Sequence, residues 1–220
     1  MPDMMFGAFF ASLPEMLPLF WEGILQTARL AGGAIVVGLI FGFVVCLARM
    51  SEGWPSRVAI AYIEIMRGTP ALVQLFLIYF GLVSVGIKFG AFEAAVLGLG
   101  LNMAAYVAEI LRAGLQAVDR GQREAAMAVG MTPFMSMRYI VMPQAIRIVL
   151  PPLGNSAISL IKDTSIAALI SAPDLLLQAR NLSSEYFMPL PIFLAVGFIY
   201  FCICFPLSLC LRIYAHRAGR

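Results

Sequence analysis

Charge is scarce in this chain: 12% of its 220 residues are charged and 61% are hydrophobic. A soluble globular domain carries charge on about a quarter of its residues, so that class is excluded and an integral membrane protein is indicated. The net charge of +3 is too small to argue for nucleic acid. Lysine occurs only as Lys88 and Lys162, and neither follows glycine. The phosphate-binding pattern Gly-x-x-x-x-Gly-Lys-Ser/Thr is therefore missing, and the chain cannot hydrolyse ATP through such a loop. The single histidine, His216, sits in the C-terminal tail, and Cys46, Cys202, Cys204 and Cys210 all lie in apolar runs. Metal binding would need paired ligand spacings with histidine, so neither a metal site nor a disulfide framework is expected. No nucleophile is flanked by a plausible base, and no catalytic residue is assigned. The start, MPDMMFGAFF, lacks the basic first region and cleavage site of a signal peptide, so no processing is expected.

Apolar runs of bilayer length are abundant. A spanning helix needs about 20 mostly apolar residues, and five such segments are expected, at about 24–48, 58–81, 92–112, 148–170 and 189–211. The uncharged run Leu30 to Ala48 contains Gly38 and Gly42, a spacing that allows close helix approach, although two incidental glycines would read the same. Arg67-Gly68-Thr69-Pro70 interrupts the second span, where a kink or discontinuity is expected. In the third, Asn102, Tyr106 and Glu109 are spaced by four and three and share a helical face. The fourth carries Lys162-Asp163-Thr164-Ser165. Connections one and three and the tail hold Arg49, Arg57, Arg112, Arg120, Arg123, Arg138, Arg147, Arg212, Arg217 and Arg220. The other side holds Lys88 and Arg180 among Asp3, Glu15, Glu22, Glu93, Asp174 and Glu185. By the positive-inside rule the N-terminus faces out, and the C-terminus and the 113–147 loop face the cytoplasm.

That loop contains a charged, broken segment, Gln122 to Pro143. Glu124 to Met127 are good helix formers, and Gly130 stands where a helix would take a left-handed C-terminal residue. Thr132-Pro133 reads as an N-cap followed by proline at the first helical position, so helix, glycine break and second helix are predicted.

Glu124, Ala125, Ala126, Gly130, Ile140 and Pro143 stand at the spacing of the EAA motif, with Met142 where the motif has leucine. The segment resembles that motif in membrane permease subunits of ATP-binding cassette (ABC) importers. The resemblance extends to the polar amino acid subfamily through Arg67 to Gln74, Ala105 to Arg112, Gly121 to Ala125, Pro143 to Arg147, Leu150-Pro151, Asn155 and Lys162 to Ser165. It implies an all-α type I importer fold of five transmembrane helices forming a single permease domain in a bacterial cytoplasmic (inner) membrane. The implied partners are a second permease subunit, identical or similar, two ATPase subunits that hold ATP and magnesium, an extracytoplasmic substrate-binding protein and membrane lipid. No cofactor is implied on this chain.

Two groups of candidate residues result. For coupling to the ATPase they are Arg123, Glu124, Ala125, Ala126 and Gly130: small side chains permit close backbone approach, and Glu124 has an arginine within reach locally or on the partner. For a zwitterionic substrate, Arg67, Lys162, Thr164 and Ser165 are candidate donors to a carboxylate, and Asn102, Tyr106, Glu109 and Asp163 candidate contacts for an ammonium and side chain. Charges in spans are functional candidates by default, although Arg67–Glu64 and Lys162–Asp163 are equally readable as structural ion pairs. An ion-gradient-driven transporter or channel would also accommodate intramembrane charge. Five spans and the lack of an internal repeat speak against that alternative.

Overall fold

The computed structural model describes the backbone of residues 2–218 and the side chains of residues 6–217. The side chain of Asp3, and Arg220 altogether, lie outside the described residues. Nine α-helices, joined by short π and 3₁₀ turns, make up the described chain, and no strand occurs in it. The first, α1, runs unbroken over Pro2–Met50 and is longer at its start than the apolar run suggested. Pro14 and Pro18 lie inside it without ending it. Its first third has packing to hold it: Phe9, Met16 and Phe20 are buried with Leu175, Ala179, Leu182, Ile192 and Val196.

Gly38 and Gly42 of α1 are closely packed. A β-carbon on Gly42 would fall 2.6 Å from Val107 and 2.9 Å from the Ala104 carbonyl oxygen, and one on Gly38 would fall 3.0 Å from Met103. These contacts seat α1 against α4, Ala91–Ala117, and form the main core with Leu30, Ala34, Leu99 and Leu75.

Between them in sequence lie α2, Trp54–Gly68, and α3, Ala71–Phe76, the latter continued by a π turn to Gly81 and a 3₁₀ turn to Val85. The axis bends by 108° at Thr69-Pro70. The expected discontinuity is present, as a turn slightly sharper than a right angle. Tyr62 ties α2 to α4 by donating to the Leu101 carbonyl at 2.6 Å.

After the loop helices α5, Arg120–Ala128, and α6, Pro133–Ser136, a π turn leads into α7, Met142–Asp163. The α-helix ends at Asp163 and a 3₁₀ turn continues over Thr164–Ile170, so the Lys162–Ser165 block straddles the point where the helix tightens. Helix α8, Leu175–Tyr186, is N-capped by Asp174, which accepts from Leu177 N at 2.7 Å. Arg180 donates to the Ala168 carbonyl and Tyr186 to Glu15, fastening α8 to the 3₁₀ turn and to α1. The last helix, α9, spans Pro189–Ala218. Cys46 and Cys204 are buried free thiols, and Cys202 and Cys210 are exposed ones.

Among the described residues, Phe6–Met50, Ala91–Ala117 and Pro189–Arg217 are long and apolar enough to cross a membrane. The bent pair Trp54–Gly68 and Ala71–Val85 makes a fourth candidate. Helix α7, with Gln144, Arg147, Asn155, Ser159, Lys162 and Asp163, is more polar than these, and its polar face lines the site described next.

Candidate functional site

A cavity of about 650 Å³ lies where the broken helix meets α4 and α7. Its walls are Thr69-Pro70-Ala71-Leu72 from the break, Asn102, Met103 and Tyr106 from α4, and Asn155, Ser156, Ser159, Leu160, Asp163 and Ile166 from α7 and the turn after it. Asn155, Ser159 and Asp163 are spaced by four and form one polar stripe along α7. The volume is that of a small-molecule site.

Of the eight sequence-predicted substrate residues, this cavity gathers Asn102, Tyr106 and Asp163. The others have different occupations. Glu109 accepts from Arg112 Nη2 at 2.6 Å and Nε at 3.1 Å, with Arg49 Nε at 3.9 Å, and so belongs to a structural cluster that joins α1 to α4. Arg67 makes no ion pair with Glu64; its guanidinium lies 5.5 Å from the centre of the Tyr106 ring, within cation–π range, and so flanks the cavity through that side chain. Lys162 and Asp163 are exposed and form no ion pair with each other. Thr164 is fully buried, its hydroxyl donating to Ile161 O, and Ser165 donates to Lys162 O.

Asn102 has a second task. Its amide donates to Met66 O at 3.1 Å and to Gln74 Oε1 at 3.0 Å, and Gln74 Nε2 donates in turn to Met66 O, Thr69 O and Thr69 Oγ1 at 2.9, 3.2 and 2.7 Å. A broken helix leaves carbonyls without intrahelical donors. Here two side-chain amides supply the donors, and they fix the bend beside the cavity. Gln74 was missing from the sequence-derived site. Its signal was a lone amide four residues beyond Pro70 in an apolar run. Asn155, Ser156 and Ser159 were missed as well, and the spacing of four back from Asp163 points to Asn155 and Ser159.

At the far end of α7, the predicted helix, glycine break and second helix are present. Asp119 caps α5 by accepting from Gly121 N at 2.6 Å. Gly130 has φ of +86°, with Gly130 N bonded to Met127 O and Met131 N to Ala126 O, the paired closure of a helix on a left-handed residue. Thr132 caps α6 by accepting from Met135 N at 3.2 Å, and Pro133 opens it. Glu124 and Ala125 are exposed, whereas Ala126 is buried within the chain. No local arginine pairs with Glu124 among the described residues. Arg123 folds back to donate to Leu115 O at 3.3 Å, bracing the loop on α4. Val129 and Phe134 are 75% and 71% exposed, leaving apolar side chains open on either side of the Gly130 turn.

Residues 34–220 match the family model described as "Binding-protein-dependent transport system inner membrane component". The chain belongs to this family. It is 41% identical over 194 residues to the probable amino-acid ABC transporter permease protein YckA of Bacillus subtilis (strain 168), covering 86% of this chain and 84% of that one. It is 38% identical to the glutamine transport system permease protein GlnP of Escherichia coli (strain K12), covering 89% of this chain and 91% of GlnP. A crystal structure of an amino acid ABC transporter superposes with a TM-score of 0.89 at 42% identity, over 94% of this chain and 98% of that one. The methionine transporter MetNI, at 20% identity and a TM-score of 0.70, supports the fold alone. The chain is thus an ABC permease subunit with the all-α type I architecture. Such a permease has no ATPase of its own, and hydrolysis belongs to a separate subunit.

Proposed function

We propose that this permease carries a polar amino acid or related zwitterion through the cavity at the α2–α3 break, in a bacterial cytoplasmic membrane, with the N-terminus outside and the C-terminus inside. Five membrane crossings follow if α1, the bent α2–α3 pair, α4, α7 with its 3₁₀ extension and α9 each cross once. The arginine-rich connections and tail then fall on the cytoplasmic side. A second permease, identical or similar, faces the open side of the cavity. Two ATPases holding ATP and magnesium sit below α5 and α6, and an extracytoplasmic binding protein delivers cargo from the other side.

The observation that carries the substrate reading is the chemistry of the α7 stripe. Asp163 offers an exposed carboxylate without an ion-pair partner at the edge of the cavity, where an ammonium is favoured. The amide and hydroxyls of Asn155, Ser156 and Ser159 make no hydrogen bond within the described chain and supply donors for a carboxylate one to two turns away. Both amide protons of Asn102 are committed, so it contributes only its oxygen. Asp163→Asn removes the ammonium's partner but keeps the shape of the side chain. Uptake in membrane vesicles is expected to fall tenfold or more through a raised KM, with the complex still assembling, and normal transport by this variant removes Asp163 from the site.

The wider reading is tested by gentle extraction of the chain, tagged at its C-terminus, from its native membrane. A phosphate-loop ATPase is expected to co-purify and to be lost when Glu124 and Gly130 are changed. Recovery of the chain alone, in a detergent known to preserve such complexes, moves the assignment to an ion-gradient-driven transporter.

A further inference from the structure

A second cavity, about 410 Å³, lies between α1, α7 and α9. Ile35, Leu39, Leu150, Leu153 and Leu211 line it, and Tyr214 is the one polar side chain in its wall. It shares only Met103 with the polar cavity. At 3.6 residues per turn, Leu150, Leu153, Gly154 and Ala157 centre on the opposite side of α7 from Asn155, Ser159 and Asp163. A subunit facing the polar cavity therefore leaves this groove open to the bilayer.

Beyond one end of the groove, α7 and α9 each carry an arginine. Thr164 lies beside Tyr200, and a β-carbon on Gly154 would meet Leu211 at 2.5 Å, so α7 and α9 run antiparallel in a fixed register. Continuing that register by two turns places Arg147 level with Arg217, one turn beyond Leu150 and Tyr214 respectively. Both arginines are exposed and neither forms an ion pair among the described residues. No acidic residue lines the groove.

We propose that this groove holds an acyl chain of an anionic phospholipid whose phosphate is bound between Arg147 and Arg217 beside the Tyr214 hydroxyl. The apolar wall accepts any acyl chain, so selectivity comes from the head group: guanidinium groups pair with phosphate oxygens in two-point geometry, and basic pockets between membrane helices select anionic heads. The proposal rests on the membrane orientation given above, which puts the arginine end at the cytoplasmic leaflet.

The test uses the complex as extracted, with bound lipid counted by native mass spectrometry and thermal stability followed during titration with phosphatidylglycerol or phosphatidylcholine. Phosphatidylglycerol is expected to be retained and to act at concentrations at least tenfold lower. The Arg147→Gln, Arg217→Gln double variant is expected to bring that ratio close to one, and Ala157→Phe, which fills the groove, to remove retention with both arginines present. Equal response to the two lipids, or a preference that survives the double variant, overturns the proposal. So does loss of permease pairing in Ala157→Phe, which would make a second polypeptide the occupant. The same spectra report the ATPase independently. Its absence with lipid selectivity intact counts against the transporter assembly and not against the lipid site.

Discussion

Replacing Gly130 with valine is expected to abolish substrate uptake while the protein still inserts into the membrane. The argument is one of backbone alone. At φ of +86° an L-residue is strained, by about 1–2 kcal/mol for a residue with a β-carbon, and a β-branched side chain is a genuine outlier there. Nothing lies within 4 Å of where a β-carbon would be built, so no packing loss confuses the result. What changes is the angle between α5, which carries Glu124 and Ala125, and α6, which carries Phe134. If an ATPase docks on both, a two-state transmission element needs that angle held. Asparagine adopts the left-handed region more readily than other L-residues, so Gly130→Asn is expected to keep much of the uptake, with Gly130→Ala intermediate. Uptake and substrate-stimulated ATP hydrolysis in reconstituted vesicles measure the series. Full activity in the valine variant would sink the coupling role, and a series that followed side-chain size instead of backbone preference would place the cause in packing.

That loop was legible in the sequence because its determinants are local. A cap, a proline at the first position and a left-handed glycine each act within about four residues, so the order of Thr132, Pro133 and Gly130 dictates helix, break and helix without knowledge of the rest of the chain. The break at Arg67 to Pro70 was legible for the same reason, but the 108° angle of its bend was not. Its direction depends on where α4 offers Asn102, 36 residues away. Face periodicity correctly put Asn102, Tyr106 and Glu109 on one side of α4. It could not say that Glu109 would be taken by Arg112 and Arg49 while Tyr106 reached the cavity. Reading Lys162 to Ser165 as a contiguous block hid the relevant period, since only Asp163 belongs to the stripe with Ser159 and Asn155, and Thr164 points into the protein. The helical start of α1 escaped because Pro14 and Pro18 argue locally against a helix, and the burial of Phe9, Met16 and Phe20 against α8 and α9 overrides them.

The second large effect is expected at Gln74, which nothing in the charge pattern singled out. Gln74→Leu keeps a similar volume in a site only 7% exposed. It removes the donors to Thr69 O and Oγ1, weakens the capping of Met66 O, and leaves the Asn102 amide without one of its two acceptors. Unsatisfied buried polar groups cost about 1–3 kcal/mol. The cost falls on the bend that forms one wall of the cavity, and uptake is expected to drop tenfold or more, with KM rising before assembly fails. Asn102→Leu strikes the same network from α4. If the two amides act together to hold the bend, the double variant is little worse than the more damaging single one, because residues in one hydrogen-bond network do not contribute additively. Strict additivity would mean that each amide serves a separate purpose. Asn102 would then return to the cavity as a direct substrate contact, and Gln74 would be left as a filler of the turn.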